Sequence, residues 1–272
     1  MPTVEDLEID LLLEGVFRYF GHDFRGYQRE AVRTKLFALM QNRKLRTVSA
    51  LQEQVLHDPA AGAALLRALS LRPGALFDDP VYFRLLRETM VPWLRSFPAP
   101  RIWLAECATA EEVYGMAILL SEEKLLDRTQ IFATAENDVL LAEASEGGFD
   151  AQRFGSYERN YRESGGKAEL GAYCAREGGR AVFSEQLRSN IVWAQYSLAT
   201  DASFNEFQTI ICRRAMPDFG THLKRRTLQL FYESMPVFGI LSVDQGDGLD
   251  TAPFVSRYKP ISSELGVYRR VA

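Results

Sequence analysis

From Arg101 onward, short apolar runs alternate with stretches of helical periodicity, and this alternation limits the fold more than any other feature of the chain. Residues 102–105, 131–134, 191–196, 209–212 and 239–243 have the length and composition of buried strands. Residues 111–122, 139–144 and 222–234 read as helices. Strands separated by helices join in parallel through crossovers, so the expected class is α/β with a mostly parallel, Rossmann-like sheet. Residues 147–188 interrupt the alternation. They are polar and glycine-rich, with short apolar runs such as Ala181-Val182-Phe183, and suit a small antiparallel insertion.

Residues 4–70 carry no strand pattern. Leu7, Leu11, Leu12 and Phe17 recur at helical spacing until Gly21. Val32, Leu36, Leu39 and Met40 mark one face of a second helix, whose other face carries Arg25, Arg29, Arg33 and Lys35, followed by Arg43, Lys44 and Arg46. A third helix is expected from Ser49 to the Asp58-Pro59 stop, and a fourth over 60–69. Arg72-Pro73-Gly74 punctuates the chain, Asp79-Pro80 opens a helix bearing Phe83, Leu86 and Met90, and Pro98 and Pro100 mark a linker. The expected organisation is therefore a helical domain at 1–70, a connecting segment at 71–100 and an α/β domain at 101–272, with 147–188 as the insertion.

Composition narrows the function classes. The 272 residues are 47% hydrophobic with a formal net charge of -4, enough for a sizeable core and without a basic field that would favour a nucleic acid polymer. Cys107, Cys174 and Cys212 show no CxxC pair, which fits a reducing compartment. The acidic start lacks the basic and apolar regions of a signal peptide, and no apolar run reaches the length of a membrane span, so a cytoplasmic location is expected. His22, His57 and His222 lack metal-ligand spacing, and neither a Gly-x-Ser-x-Gly elbow nor a phosphate loop is present.

The turn after the first strand is the natural ligand position of such a sheet. Here it holds Glu106, Ala108 and Ala110 where glycine would normally let a ligand approach the backbone, so it reads either as a structural turn or as a ligand loop. The segment starting at Arg101 resembles the motif Ser-Ala-Gly-Cys-Ser-Thr-Gly-Glu-Glu-Pro-Tyr-Ser of CheR-type chemoreceptor methyltransferases, with matches at Ala105, Cys107, Thr109, Glu111, Glu112 and Tyr114. The stretch from Gly21 to Tyr27 is similar to that family's Gly-x-Asp-Phe-x-x-Tyr. Asp58-Pro59, residues 131–134, the Phe207 to Arg213 segment and Tyr268-Arg269-Arg270 follow its later motifs in order. The resemblance implies an N-terminal helical domain, an S-adenosylmethionine methyltransferase sheet with a small antiparallel subdomain that docks receptor tails, and protein-glutamate O-methylation.

Departures from that pattern cluster where the chemistry is implied. Glu106 and Ala110 replace the motif's glycines, and Ala135 replaces the aspartate implied to hold the cofactor ribose, with Glu136 one position on. The arginine of Thr-x-Phe-Phe-Arg becomes Asp78 in the segment that starts Gly74-Ala75, and Arg214 and Asp218 stand at the Asn and Tyr positions of a later motif. The Pro-Gly-Gly turn becomes Pro236-Val237-Phe238. Each hydrogen bond lost to a charged or buried partner costs about 1–3 kcal/mol, and micromolar affinity is only about 8 kcal/mol in all. The implied cofactor site comprises Ala75, Asp78, Ala105, Glu106, Thr109, Glu111, Ala135, Glu136, Arg213 and Arg214, and would take S-adenosylmethionine or S-adenosylhomocysteine if it survives.

Three functions remain open: a receptor-linked binding or regulatory protein with impaired or lost methylation, an active methyltransferase acting on chemoreceptors, and a cleft that binds an anionic nucleotide. For the third, Arg72, Arg213 and Arg214 offer guanidinium forks, and Asp78 or Asp218 could accept from a guanine. The same arginines could instead be ordinary residues paired with acids. By the resemblance, Arg29, Arg33 and Lys35 engage a receptor or signalling protein; their simpler reading is a solvated helix face.

Overall fold

The computed structural model of the chain describes all residues except 1, 2, 73, 108, 248, 250 and 251, so the expectations at Pro73 and Ala108 lie outside the described residues. Four helices come first: α1 (Val4–Phe20), α2 (Arg29–Arg43), α3 (Val48–His57) and α4 (Pro59–Ser70). Local chemistry sets their ends. Thr3 and Asp6 form a reciprocal cap at the start of α1, and Gly21 closes it in a left-handed conformation. Thr47 caps α3, and Asp58 caps α4 ahead of Pro59.

The rotation of α1 differs from the expectation. Leu7 and Leu11 are 55% and 52% exposed, and the buried face is Ile9, Leu12, Leu13 and Val16. Apolar residues occupy much of this helix's circumference, so periodicity cannot choose among its faces. Ion pairs of Arg29 with Asp10 and Arg33 with Glu5 turn the acidic side toward α2, and the buried face packs with Val32, Leu36, Leu51 and Val55.

Helix α5 (Pro80–Arg95) follows, and then the α/β region: β1 (Arg101–Ala105), α6 (Ala110–Glu122), β2 (Gln130–Ala135) and α7 (Asp138–Ser145). The insertion contains β3 (Gly148–Asp150), α8 (Phe154–Glu163), β4 (Cys174–Glu177), β5 (Arg180–Phe183) and the short α9 (Glu185–Arg188). Its three strands form an antiparallel sheet of order β3-β5-β4, as the polar, glycine-rich stretch suggested. The chain returns to the main sheet with β6 (Ile191–Gln195), β7 (Thr209–Cys212), α10 (Thr221–Glu233), β8 (Ile240–Val243), β9 (Tyr258–Ser262) and β10 (Val267–Arg270).

The main sheet has the order β6-β2-β1-β7-β8-β10-β9. Pairing from β6 to β8 is parallel, and the β9–β10 hairpin adds antiparallel strands that the sequence pattern did not announce. The chain winds outward from β1 to β2 and β6, and separately from β7 to β8, so strand order reverses between β1 and β7. The crevice beyond the C-terminal ends of these two strands is where such sheets bind ligands. No helix among the described residues is long and apolar enough to cross a membrane.

Trp103 anchors one face of the sheet. It is fully buried, and Tyr196, Phe204, Phe207 and Phe231 surround its ring with centroids 5.2–5.3 Å away. Its indole N–H donates to the Thr134 hydroxyl at 2.8 Å, which satisfies a polar group that water cannot reach. Replacing Thr134 with Val keeps the shape and strands the indole donor. We expect a loss of about 1–3 kcal/mol in the urea unfolding free energy followed by tryptophan fluorescence; an unchanged midpoint would show that this hydrogen bond contributes nothing.

Candidate functional site

The C-terminal ends of β1 and β2 are closed by the protein's own charged side chains. Glu106 follows β1 in a left-handed conformation with φ of 57°, and its side chain is buried. One carboxylate oxygen accepts the Glu136 N–H at 3.2 Å, and the other lies 3.5 Å from the guanidinium of Arg72. Arg72 is also buried. It donates to the Ser70 carbonyl at 2.8 Å and the Tyr27 hydroxyl at 3.2 Å, and its Nε lies 3.3 Å from the Asp218 carboxylate. Asp218 in turn accepts from Lys35 at 2.7 Å, and Lys35 also donates to the Leu69 carbonyl. Glu136 reaches the loop after α1, where its carboxylate accepts the Asp23 N–H at 2.6 Å. A chain of charges thus joins the helical layer to the two strand ends.

Burial decides the protonation of these groups. Desolvation raises Glu106 above the ordinary glutamate range, opposed by Arg72. Burial, reinforced by the neighbouring Glu106 charge, pushes Glu136 up to about 7. Desolvation lowers Lys35, while its bond to Asp218 acts in the other direction.

A second cluster lies beyond β1 and β7, lined by Ala75, Asp78, Tyr82, Glu112, Arg213 and Arg214 among others. Arg214 pairs with Asp78, and Arg213 with Asp79 at 3.1 Å, its guanidinium 4.0 Å from the Tyr82 ring centroid. Burial pushes Glu112 up to about 7. The cavity between these groups is about 10 Å³. That is room for roughly one water, whereas pockets for drug-sized ligands run to about 300–1,000 Å³.

The predicted site residues are thus divided. Ala105, Glu106, Ala135 and Glu136 meet at the strand ends, and Ala75, Asp78, Arg213 and Arg214 meet in the second cluster. Thr109 stands at the N-terminus of α6 without a side-chain capping bond. Glu111 is held by the insertion, accepting from Arg153 at 2.8 Å and the Tyr157 hydroxyl at 2.7 Å. Arg29 and Arg33 are half exposed and paired within the helical layer, while Lys35 turns inward to Asp218 rather than projecting beside them. Arg72, Arg213 and Arg214, the three arginines considered for an anionic nucleotide, each face a carboxylate.

Sequence reasoning missed Asp79, Tyr82 and Asp244. Asp79 was read only as a helix start, and Asp244, whose carboxylate accepts the Arg214 N–H, follows a strand whose end carried no motif. Tyr27 and Asp23 lay within the matched opening stretch, but nothing in their spacing pointed to the cleft.

The backbone keeps turns that the side chains do not favour. Glu106, Arg214 and Phe238 adopt φ of 57°, 70° and 70°. They stand at the Gly, Asn and Gly positions of the motifs described above, residue types that enter this region readily. Each of the three costs about 1–2 kcal/mol in this conformation. The side chains at the strand ends differ from those the resemblance implies for S-adenosylmethionine. Ala135 has no acceptor for a ribose, the Glu106 carboxylate occupies the Glu136 N–H, and Arg72 covers the turn.

Comparison with known proteins places these features. The family model described as "CheR methyltransferase, SAM binding domain" matches residues 74–262, and "CheR methyltransferase, all-alpha domain" matches residues 7–70. The chain is 38% identical to the Cher3 protein of Pseudomonas putida over 97% of each chain. It is 22% identical to a chemotaxis protein methyltransferase of Listeria innocua, covering 88% of this chain and 90% of that one. Among solved structures it is similar to LepI in complex with SAM, at 13% identity and a TM-score of 0.39, covering 98% of this chain and 59% of that one. A Geobacter sulfurreducens SAM-dependent methyltransferase in complex with S-adenosyl-L-homocysteine is similar at 11% identity and a TM-score of 0.33. That match covers 64% of this chain, which spans about half of the other's length (51%).

Glu136 makes the site's electrostatics measurable. Its folded value near 7 lies above the ordinary 4.5, so the folded protein holds a proton that the unfolded chain releases between those values. Stability therefore falls as pH rises through that window and levels off above it. Glu112 and Asp247, also raised to about 7, act in the same direction. Glu136→Gln should shrink the loss of stability between about pH 5 and about pH 8 by an amount on the order of 2 kcal/mol, measured by urea unfolding at each pH. An identical pH dependence in wild type and variant would show that Glu136 titrates normally.

Proposed function

Because the chain belongs to the CheR methyltransferase family, we propose that it is a receptor-linked signalling protein that has kept the family's fold and lost efficient use of S-adenosylmethionine. The observation that carries this reading is Glu106. A carboxylate stands at a left-handed turn where the resemblance places glycine, and it is fixed there by Arg72 and by the Glu136 N–H. A ligand entering the turn must displace a buried ion pair, and separating one partner of such a pair costs about 3–5 kcal/mol. That is a large part of the roughly 8 kcal/mol available to a micromolar ligand. The missing acceptor at Ala135 acts in the same direction. On this reading the protein works by binding a receptor or signalling partner, with Arg29 and Arg33 as the accessible part of the proposed basic surface.

The alternative is an active protein-glutamate methyltransferase. Positioning a glutamate carboxylate in line with the methyl group would be the enzyme's main contribution. The retained left-handed turns favour this alternative, because they preserve the backbone path of a ligand loop.

Thermal denaturation with S-adenosylhomocysteine separates the two. A ligand at about one hundred times its dissociation constant adds roughly 2.7 kcal/mol, which raises Tm by several degrees in a protein of this size. We expect no shift for the wild type at about 1 mM ligand, on the order of one hundred times a typical cofactor affinity, and a measurable shift for Glu106→Gly combined with Ala135→Asp. A clear shift for the wild type, with transfer of labelled methyl to a receptor fragment, would overturn the proposal in favour of the active enzyme.

A further inference from the structure

The rim of the main sheet opposite the cleft carries charge and apolar surface that the fold leaves unused. On this side lie the start of β8, the end of α5 and the open end of the β9–β10 hairpin, where β9 starts and β10 finishes. Arg269 on β10 faces Ile240 of β8 and Lys259 of β9 in the strand register. Like charges directly across an antiparallel pair are destabilising. Neither cation has an ion-pair or hydrogen-bond partner among the described residues, and the Nε of Arg269 is buried without an acceptor. A buried donor left in this state costs about as much as a lost hydrogen bond, so its retention calls for an explanation.

Beside these cations lies an exposed aromatic patch. Phe238 is 53% exposed and Val237 is 41% exposed. The Phe238 ring meets the edge of Trp93, at 6.2 Å between centroids, and Trp93 packs against Phe97 at 4.7 Å. The Phe238 N–H donates to the Arg270 carbonyl, which puts the patch next to Arg269 in the β8–β10 ladder. Phe238 also holds a left-handed φ of 70°, a conformation that costs a phenylalanine more than it would a glycine. A strained, half-exposed aromatic residue and two unpaired cations thus occupy one rim.

We propose that this rim is a docking surface for an acidic segment of a partner protein that carries a large apolar side chain. The apolar side chain packs on Phe238, Val237 and Trp93, and acidic groups flanking it pair with Arg269 and Lys259. Charge complementarity selects this occupant: the two cations repel each other until an anion lies between them, and the exposed rings supply apolar contact at little entropic cost. The surface is independent of the cleft, because it sits at the other ends of the strands.

The test uses the full chain and a fluorescein-labelled peptide of about twelve residues, rich in Asp and Glu with one central Trp, read by fluorescence anisotropy. Saturable binding is expected, weakened about fivefold or more by Arg269→Gln and by Phe238→Gly, and abolished by Lys259→Glu, an exposed change that the fold tolerates. Tm of Arg269→Gln and Phe238→Gly should equal or exceed that of the wild type, because each removes a local conflict. The proposal is overturned if the wild type does not bind the peptide, or if a peptide with Lys in place of its acids binds equally well. A lowered Tm in both of the first two variants would assign those residues a purely structural role and also overturn it. So would sedimentation showing a dimer of this chain that Lys259→Glu dissociates, since the occupant would then be a second copy.

Discussion

The buried pair of Glu106 and Arg72 is the contact on which the rest of the architecture turns. Glu106 belongs to the turn after β1, Arg72 to the segment after α4, and the chain of charges continues through Asp218 and Lys35 back into α2. No member is comfortable without the next. Removing one would leave another desolvated and unpaired, at a cost well above the value of a surface ion pair. The arrangement therefore couples three separate parts of the chain: the helical layer is seated where Arg72 and Lys35 need it, and the turn after β1 is filled because they are there. Tyr27 and Asp23 add hydrogen bonds from the loop before α2, so the same contact also fixes the entry to that helix.

That coupling explains why the turn after β1 can keep a left-handed residue without glycine. The backbone at Glu106 is determined from both sides, by the β1 ladder and by the Cys107 N–H donating to the Thr134 carbonyl at 2.9 Å. The side chain adds an ion pair and accepts a backbone hydrogen bond, which together offset a conformational penalty of about 1–2 kcal/mol. Arg214 is held similarly, by the Asp78 pair and by its N–H donating to Asp244. At both positions a carboxylate–guanidinium contact stands where an open, ligand-accessible backbone would otherwise be.

Much of the fold was legible because its signals are local. Strand and helix alternation after Arg101 gave the parallel sheet, and the caps at Gly21 and Asp58 gave the helix ends. The β9–β10 hairpin was not legible. Lys259 and Pro260 lie on the edge strand β9, Arg269 and Arg270 on its neighbour β10, and apolar–polar alternation is weak in both. The rotation of α1 was misjudged because apolar residues cover most of its surface and only the ion pairs to α2 select a face. The candidate site was legible as a set of departures from a motif, but not as an arrangement. Lys35 looked like one more cation on a solvated stripe, and only the tertiary fold brings it to Asp218, far away in sequence. Long-range charge pairs leave no periodic trace.

The two ends of the sheet treat charge in opposite ways, and this difference bears on function. Around the cleft, Arg72, Arg213, Arg214 and Lys35 each face a carboxylate, so an incoming anion meets neutralised cations and must compete with an existing partner. At the far rim, Arg269 and Lys259 face one another and have no ion-pair partner among the described residues. Paired charges in a small, filled cavity stabilise one closed arrangement and resist ligand entry. Unpaired charges beside exposed aromatic rings store electrostatic free energy that an approaching anion releases. The proposed loss of cofactor use and the proposed docking rim thus rest on the same contrast, between cations that already have acids and cations that do not.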